Sequence, residues 1–141
     1  APLTMKLHSQ IMRSWLLFLL FVLGACDAAG PGFKSSSKIE RSIEGTKFAL
    51  RRQGDVVEAI RLSPEFLPKF TEVARKAAIV AQLETGCAAK WVDGDPALLR
   101  IGMSCNGARP PKKPSRRKSL YCDIEELYGR GNSYAGHMIC R

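Results

Sequence analysis

The residues of this chain best equipped for chemistry are its five cysteines, Cys26, Cys87, Cys105, Cys122 and Cys140. Cys26 stands apart at the end of an apolar run, and the other four form an even set. Zinc sites draw on closely spaced cysteine pairs completed by further Cys or His. No CxxC spacing occurs, and His137 is the one histidine beyond Cys26, so no metal is expected. Cys140 acting as a nucleophile with His137 would need a third group to orient the imidazole, and the sequence offers none. Oxidation is the simpler chemistry. In an exported chain an even set of cysteines implies disulfides, and four cysteines allow three pairings. Local bridges 87–105 and 122–140 would staple two segments separately. Bridges from Cys87 or Cys105 to the tail would instead dock it on the domain, and the spacing leaves both schemes open.

Charged residues supply the remaining candidates. Asp123, Glu125 and Glu126 crowd together, and paired carboxylates can exchange protons with a substrate. Acidic residues in the first turn of a helix complement its dipole, which is the expected role here. Asp93-Gly94-Asp95 lacks the further oxygen ligands and closing glutamate of a calcium loop, and it reads as a hairpin turn. No glycine-rich phosphate cradle is present, so the expectation is a protein without cofactor or enzymatic activity. An exported hydrolase or an enzyme-inhibitor-like domain is the alternative.

The strongest binding candidate is basic: Arg109, Lys112, Lys113, Arg116, Arg117 and Lys118, within NGARPPKKPSRRKS at 106–119. Its prolines remove backbone donors and its charges repel, so the segment is expected to stay exposed as a loop. Polybasic segments are drawn to anionic surfaces by roughly 1 kcal/mol per Lys or Arg. Anionic lipid, envelope polymer or an acidic protein would suit this charge. Nucleic acid carries the right sign, but no aromatic residues are interleaved for base stacking, and it is not the expected partner of an exported chain.

Export is inferred from WLLFLLFVLGACDAAG, residues 15–30. Its apolar run is too short for a bilayer span, which needs roughly twenty residues. With Arg13 as the positive flank and small residues before Cys26, it fits the apolar centre of an export signal. Leu23-Gly24-Ala25-Cys26 resembles the lipobox of bacterial lipoproteins. The resemblance implies cleavage after Ala25, lipidation of Cys26, and attachment to a membrane with the domain facing the periplasm or exterior. Residues 1–25 are then the export signal. A start at Met12 would leave residues 1–11 as upstream sequence. Removal of the signal takes away Lys6 and Arg13 and lowers the net charge from +9 to +7. Without the six basic residues of the tract, only +1 remains. The basicity is a local feature.

Beyond the anchor, 26–45 reads as a flexible tether reaching on the order of 25 Å, and 46–141 as one small domain. KFALRR and VVEAIRL flank Gln53-Gly54-Asp55 as a hairpin. Ser63 as N-cap and Pro64 at the first helical position open an amphipathic helix over 64–85, ended by Gly86. Its apolar face is Phe66, Phe70, Val73, Ala77 and Val80. Glu65 with Lys69 and Glu72 with Lys76 are spaced to pair on its other side. Cys87–Val92 and Ala97–Cys105 follow as strands. Leu120, Ile124 and Leu127 suggest a short helical stripe before a glycine-rich loop. The expected fold is α+β: one amphipathic helix packed on a small antiparallel sheet, disulfide-stapled.

Overall fold

In the computed structural model, residues 8–17, 29–115, 119–130 and 133–141 are described. Residues 8–17 form a helix, α1, with every side chain exposed. The two apolar runs around Gly54 form strands β2 (Thr46–Gln53) and β3 (Val56–Arg61), with Gln53 opposite Val56. Gly54 takes φ 58°, the left-handed conformation that a tight two-residue turn needs.

The second half of the expected tether is folded. Lys38–Ile43 is strand β1, paired antiparallel with β2 from Lys38↔Arg51 to Ile43↔Thr46. Glu44 and Gly45, both at positive φ, make the connecting turn. Burial of Phe33 and Ile43, with the ladder to β2, offsets the entropy of ordering the segment. Arg41 reaches Glu84 at 2.8 Å and Glu44 reaches Arg75 at 2.5 Å, which ties β1 and its turn to the helix.

That helix, α2, runs from Phe70 to Thr85 and starts six residues later than the sequence implies. Pro68 is the reason. A proline disfavours helical geometry in the residue before it, and Leu67 takes φ 48°. Lys69 occupies the N-cap position without a side-chain cap, so Ser63 and Pro64 do not start the helix. Phe66 is exposed and not on the packed face, while Val73, Ala77 and Val80 are buried. Glu65 lies outside the helix. Lys76 bonds the Thr46 hydroxyl at 3.1 Å and Glu72 pairs with Arg75, in place of the expected Glu72–Lys76 pair. Gly86 ends the helix at φ 69° as expected, its N–H donating to the Gln82 carbonyl.

The chain then forms β4 (Ala88–Gly94), β5 (Leu98–Ser104), β6 (Leu120–Arg130) and β7 (Ser133–Cys140). The seven strands make one antiparallel sheet in the order β1-β2-β3-β5-β4-β6-β7. Asp95 shapes the β4–β5 turn by accepting the Ala97 and Leu98 N–H groups at 2.7 and 3.0 Å. α2 lies on one face over Phe48, Leu50, Val57, Leu99, Ile101 and Met103. Its alanines 74, 77, 78 and 81 are buried and allow close approach. The sheet curls so that both edge strands, β1 and β7, touch the helix.

The α+β class and the disulfide stapling are as expected; the sheet is larger. The tail is a strand hairpin, not a helical stripe with a glycine loop. A bulge at Glu125 shifts the β6–β7 register between Ile124↔Met138 and Glu126↔His137. It brings Leu127 onto the same face as Cys122 and Ile124, all in or against the core. The bulge converts a strand period into a spacing of three, which resembles a helical one. Cys87–Cys105 and Cys122–Cys140 are the bridges. Each joins neighbouring strands: Cys122 is directly opposite Cys140, and Cys87 and Cys105 extend the Ala88↔Ser104 pair.

On the sheet face away from α2, the Trp91 indole lies on Gly102. A Cβ at Gly102 would come within 2.1 Å of the ring. Gly102→Ala is therefore expected to displace Trp91 and cost about 1–3 kcal/mol as overpacking. Denaturant unfolding followed by tryptophan emission checks this; an unchanged midpoint would contradict it.

Candidate functional site

The face away from α2 carries charge where a sheet interior usually carries aliphatic residues. Arg51, Glu58, Arg100, Asp93 and Tyr121 stand directly opposite one another across β2, β3, β5, β4 and β6. Along this row the sign alternates through four ionised residues. Glu58 and Asp93 are each 1% exposed. Arg100 donates to Asp93 through Nε and Nη2, both at 3.0 Å, and the Ser119 hydroxyl donates to the same carboxylate at 3.2 Å. Glu58 accepts the Gly30 N–H at 2.9 and 3.2 Å. Among the described residues no buried side-chain nitrogen or oxygen lacks a partner.

Beside this row lies a cleft of about 340 Å³, lined among others by Gly30, Phe33, Glu58, Asp95, Arg100 and Ser119. Two neighbouring carboxylates can serve as acid and base when their environments drive their proton affinities apart. Here Arg100 is opposite both Glu58 and Asp93 in the register, and each carboxylate is held by donors from its own chain. The arrangement fixes strand register and seats the segment at Gly30. Both carboxylates of the row are thereby engaged.

Residues 108–113 of the basic tract lie on the same face. The Ala108 carbonyl accepts from the Ser104 hydroxyl at 2.6 Å, and the Pro111 carbonyl from the Trp91 indole at 2.9 Å. Lys113 binds Asp123 and sits 5.1 Å from the centre of the Tyr121 ring. The Tyr121 hydroxyl also donates to Asp123 at 2.8 Å, and Arg141 lies 3.7 Å from it. The Lys113 ammonium holds the Asp123 carboxyl below its ordinary range, and Asp123 in turn raises Lys113.

The expectation of a loop too charged to pack is thus corrected for residues 108–115. Its prolines do the packing: Pro110, Pro111 and Pro114 are half-buried, while Arg109, Lys112 and Lys113 are exposed. Lys113 is committed to Asp123. Arg109 and Lys112 have no ion-pair partner among the described residues. Arg116, Arg117, Lys118 and the lipidation candidate Cys26 lie outside the described residues.

The other candidates do not converge. Cys140 is bonded to Cys122, so its thiol is consumed. His137 pairs with Glu125 at 2.6 Å, both well exposed. Asp123, Glu125 and Glu126 lie on strand β6, not at a helix start. Asp123 faces the basic loop and Glu125 faces His137, so they do not act together. No group of three or more metal-ligating side chains is assembled among the described residues. The sequence reading missed Arg51, Glu58 and Asp93 as buried charges. Only Glu58 carried a signal, as an ionised residue in the middle of the apolar run 56–60; Arg51 and Asp93 lie near strand ends beside other polar or turn residues.

Comparison with protein-family models, curated proteins and solved structures finds no match to this chain.

Two outcomes test this geometry. Arg100→Met would strand the Asp93 carboxylate with Ser119 as its remaining side-chain donor, and is expected to cost about 3–5 kcal/mol in urea unfolding. Asp93→Leu combined with Arg100→Met should recover most of that loss; a silent single variant would contradict the ion pair. The second outcome concerns pH. Asp123 titrates below its ordinary 3.8 in the folded state. Its contact therefore stabilises the docked loop above that pH and is lost as pH falls through the depressed value. Hydrogen-exchange protection of the Trp91 indole N–H should fall in the same acid range, and Asp123→Asn should lower it already at neutral pH.

Proposed function

We propose that this chain is a lipid-anchored protein of the cell envelope, with a non-catalytic binding domain that meets an anionic partner through its basic loop. The observation that carries the proposal is the docking of residues 108–115. Trp91, Ser104 and Asp123 hold the loop, so Arg109 and Lys112 project from a fixed base. Cations on an ordered backbone lose less entropy on meeting a partner than cations on a free linker. Anionic lipid, envelope polymer and an acidic protein surface share the required chemistry. The in-chain pairing of the buried charges supports a non-catalytic role.

Anchoring rests on the lipobox-like Leu23-Gly24-Ala25-Cys26. No helix among the described residues is long and apolar enough to cross a membrane. Intact-mass analysis of the processed chain should show an N-terminal Cys26 carrying acyl mass. Cys26→Ser should release the protein from membranes or leave it unprocessed, and unchanged processing and retention would contradict the anchor.

Retention on an anionic matrix tests the binding role. It should weaken steeply with salt, as the Debye length shrinks from about 10 Å at 0.1 M to about 3 Å at 1 M. Replacing Arg109, Lys112, Arg116, Arg117 and Lys118 by glutamine, with Lys113 kept as the internal pin, should abolish retention. Stability should change by less than about 0.5 kcal/mol. Salt-insensitive retention, or retention by the variant, would contradict the role of the loop.

A further inference from the structure

One end of the sheet gathers three features. The first is apolar. Phe66 and Leu67, consecutive in the β3–α2 connection, are 92% and 78% exposed. The connection is braced at its root: Arg61 donates to the Ser63 carbonyl at 2.7 Å and to the Pro96 carbonyl at 2.8 Å, and the Lys47 N–H donates to the Ser63 hydroxyl at 2.8 Å. Leu67 takes φ 48°, a conformation that non-glycine residues seldom adopt. Two large apolar side chains are thus held out to solvent on a fixed, unfavourable backbone.

The second feature is where the N-terminal segment meets the domain. Gly30 and Pro31 line the outer-face cleft together with Gly94, Asp95 and Leu98 of the β4–β5 turn, the turn that Arg61 clasps. Gly30 lies four residues after Cys26, and four extended residues span at most roughly 14 Å. The third feature is charge. Lys69, two residues beyond Leu67, is exposed at the start of α2. The carboxylates at this end are engaged within the chain: Glu65 lies 3.8 Å from Arg61, and Glu44 binds Arg75.

A lipid anchor fixes a domain to a bilayer without fixing which side faces it. We infer that the Phe66–Leu67 tip inserts into the interface of the anchoring membrane and sets the orientation of the domain. The inference rests on the lipid-anchor reading: an anchor at Cys26 allows so short a reach that this end of the sheet meets the bilayer first. Apolar side chains beside an exposed lysine, here Lys69, suit the boundary between acyl chains and anionic headgroups.

Phe66→Trp tests the inference. After processing, the only other tryptophan is Trp91, which is buried beneath Pro111, so emission changes report on position 66. The processed variant is purified and reconstituted into phosphatidylcholine vesicles containing one-third phosphatidylglycerol. Emission of the introduced indole should shift to the blue and be quenched by bromolipid, and adding Leu67→Ser should reduce both effects. Both substitutions fall on exposed side chains, so the fold should persist. The mass of the N-terminus reports separately on the anchor. Acyl mass at Cys26 with unshifted, unquenched emission from position 66 would overturn the tip while leaving the anchor intact. Quenching without acyl mass would uphold the tip and remove the anchor.

Discussion

A seven-stranded sheet has two faces, and the 16-residue helix α2 covers one of them. The structure follows from how the uncovered face is closed. Backbone ladders satisfy the strands whichever face is wet, but a broad apolar second face in water would be a liability. Two irregular segments close it: residues 29–37, which bury Phe33, and residues 108–115, which place Pro111 on Trp91. Between them the face is polar and internally neutralised through the row Arg51, Glu58, Arg100 and Asp93. A one-residue slip of β3 or β5 would move those charges into the core against α2, so the row also penalises misregister.

The same closure shapes the function proposed above. A proline-rich basic segment lacks the backbone donors to form a strand of its own, and it is held by acceptors and side chains instead. Carbonyls of Ala108 and Pro111 take bonds from Ser104 and Trp91, and one cation, Lys113, is given up to Asp123. Arg109 and Lys112 are left exposed. The disulfides hold neighbouring strands on either side of this loop: Cys105 fixes its start beside β4, and Cys122 fixes the strand that follows it. Along residues 108–115 the prolines are half-buried while Arg109 and Lys112 face solvent, which is the division of labour the proposed function requires.

Much of the helix-facing side was legible in the sequence. The β2–β3 hairpin followed from two apolar runs about Gly54, the β4–β5 turn from Asp93-Gly94-Asp95-Pro96, and the helix end from Gly86. Local disulfide pairing was one of the schemes left open. The departures have specific causes. Pro68 outweighs the Ser63-Pro64 helix start, because a proline there disfavours helical geometry at Leu67. The bulge at Glu125 disguises a strand as a helical stripe. β1 was hidden in a charged, serine-rich stretch whose pairing partner lies beyond a Glu44-Gly45 turn. The outer-face row was illegible for a deeper reason: patterning assigns charged residues to solvent, and only the sheet register shows that they answer one another.

The central claim is that residues 108–113 form an ordered cover of the sheet rather than a mobile linker. Backbone order parameters of Ala108, Arg109, Lys112 and Lys113, measured by nitrogen relaxation on the folded protein, test it most directly. Values close to those of the strands, about 0.85, are expected; values below about 0.6 across these residues would show a free segment and contradict the claim.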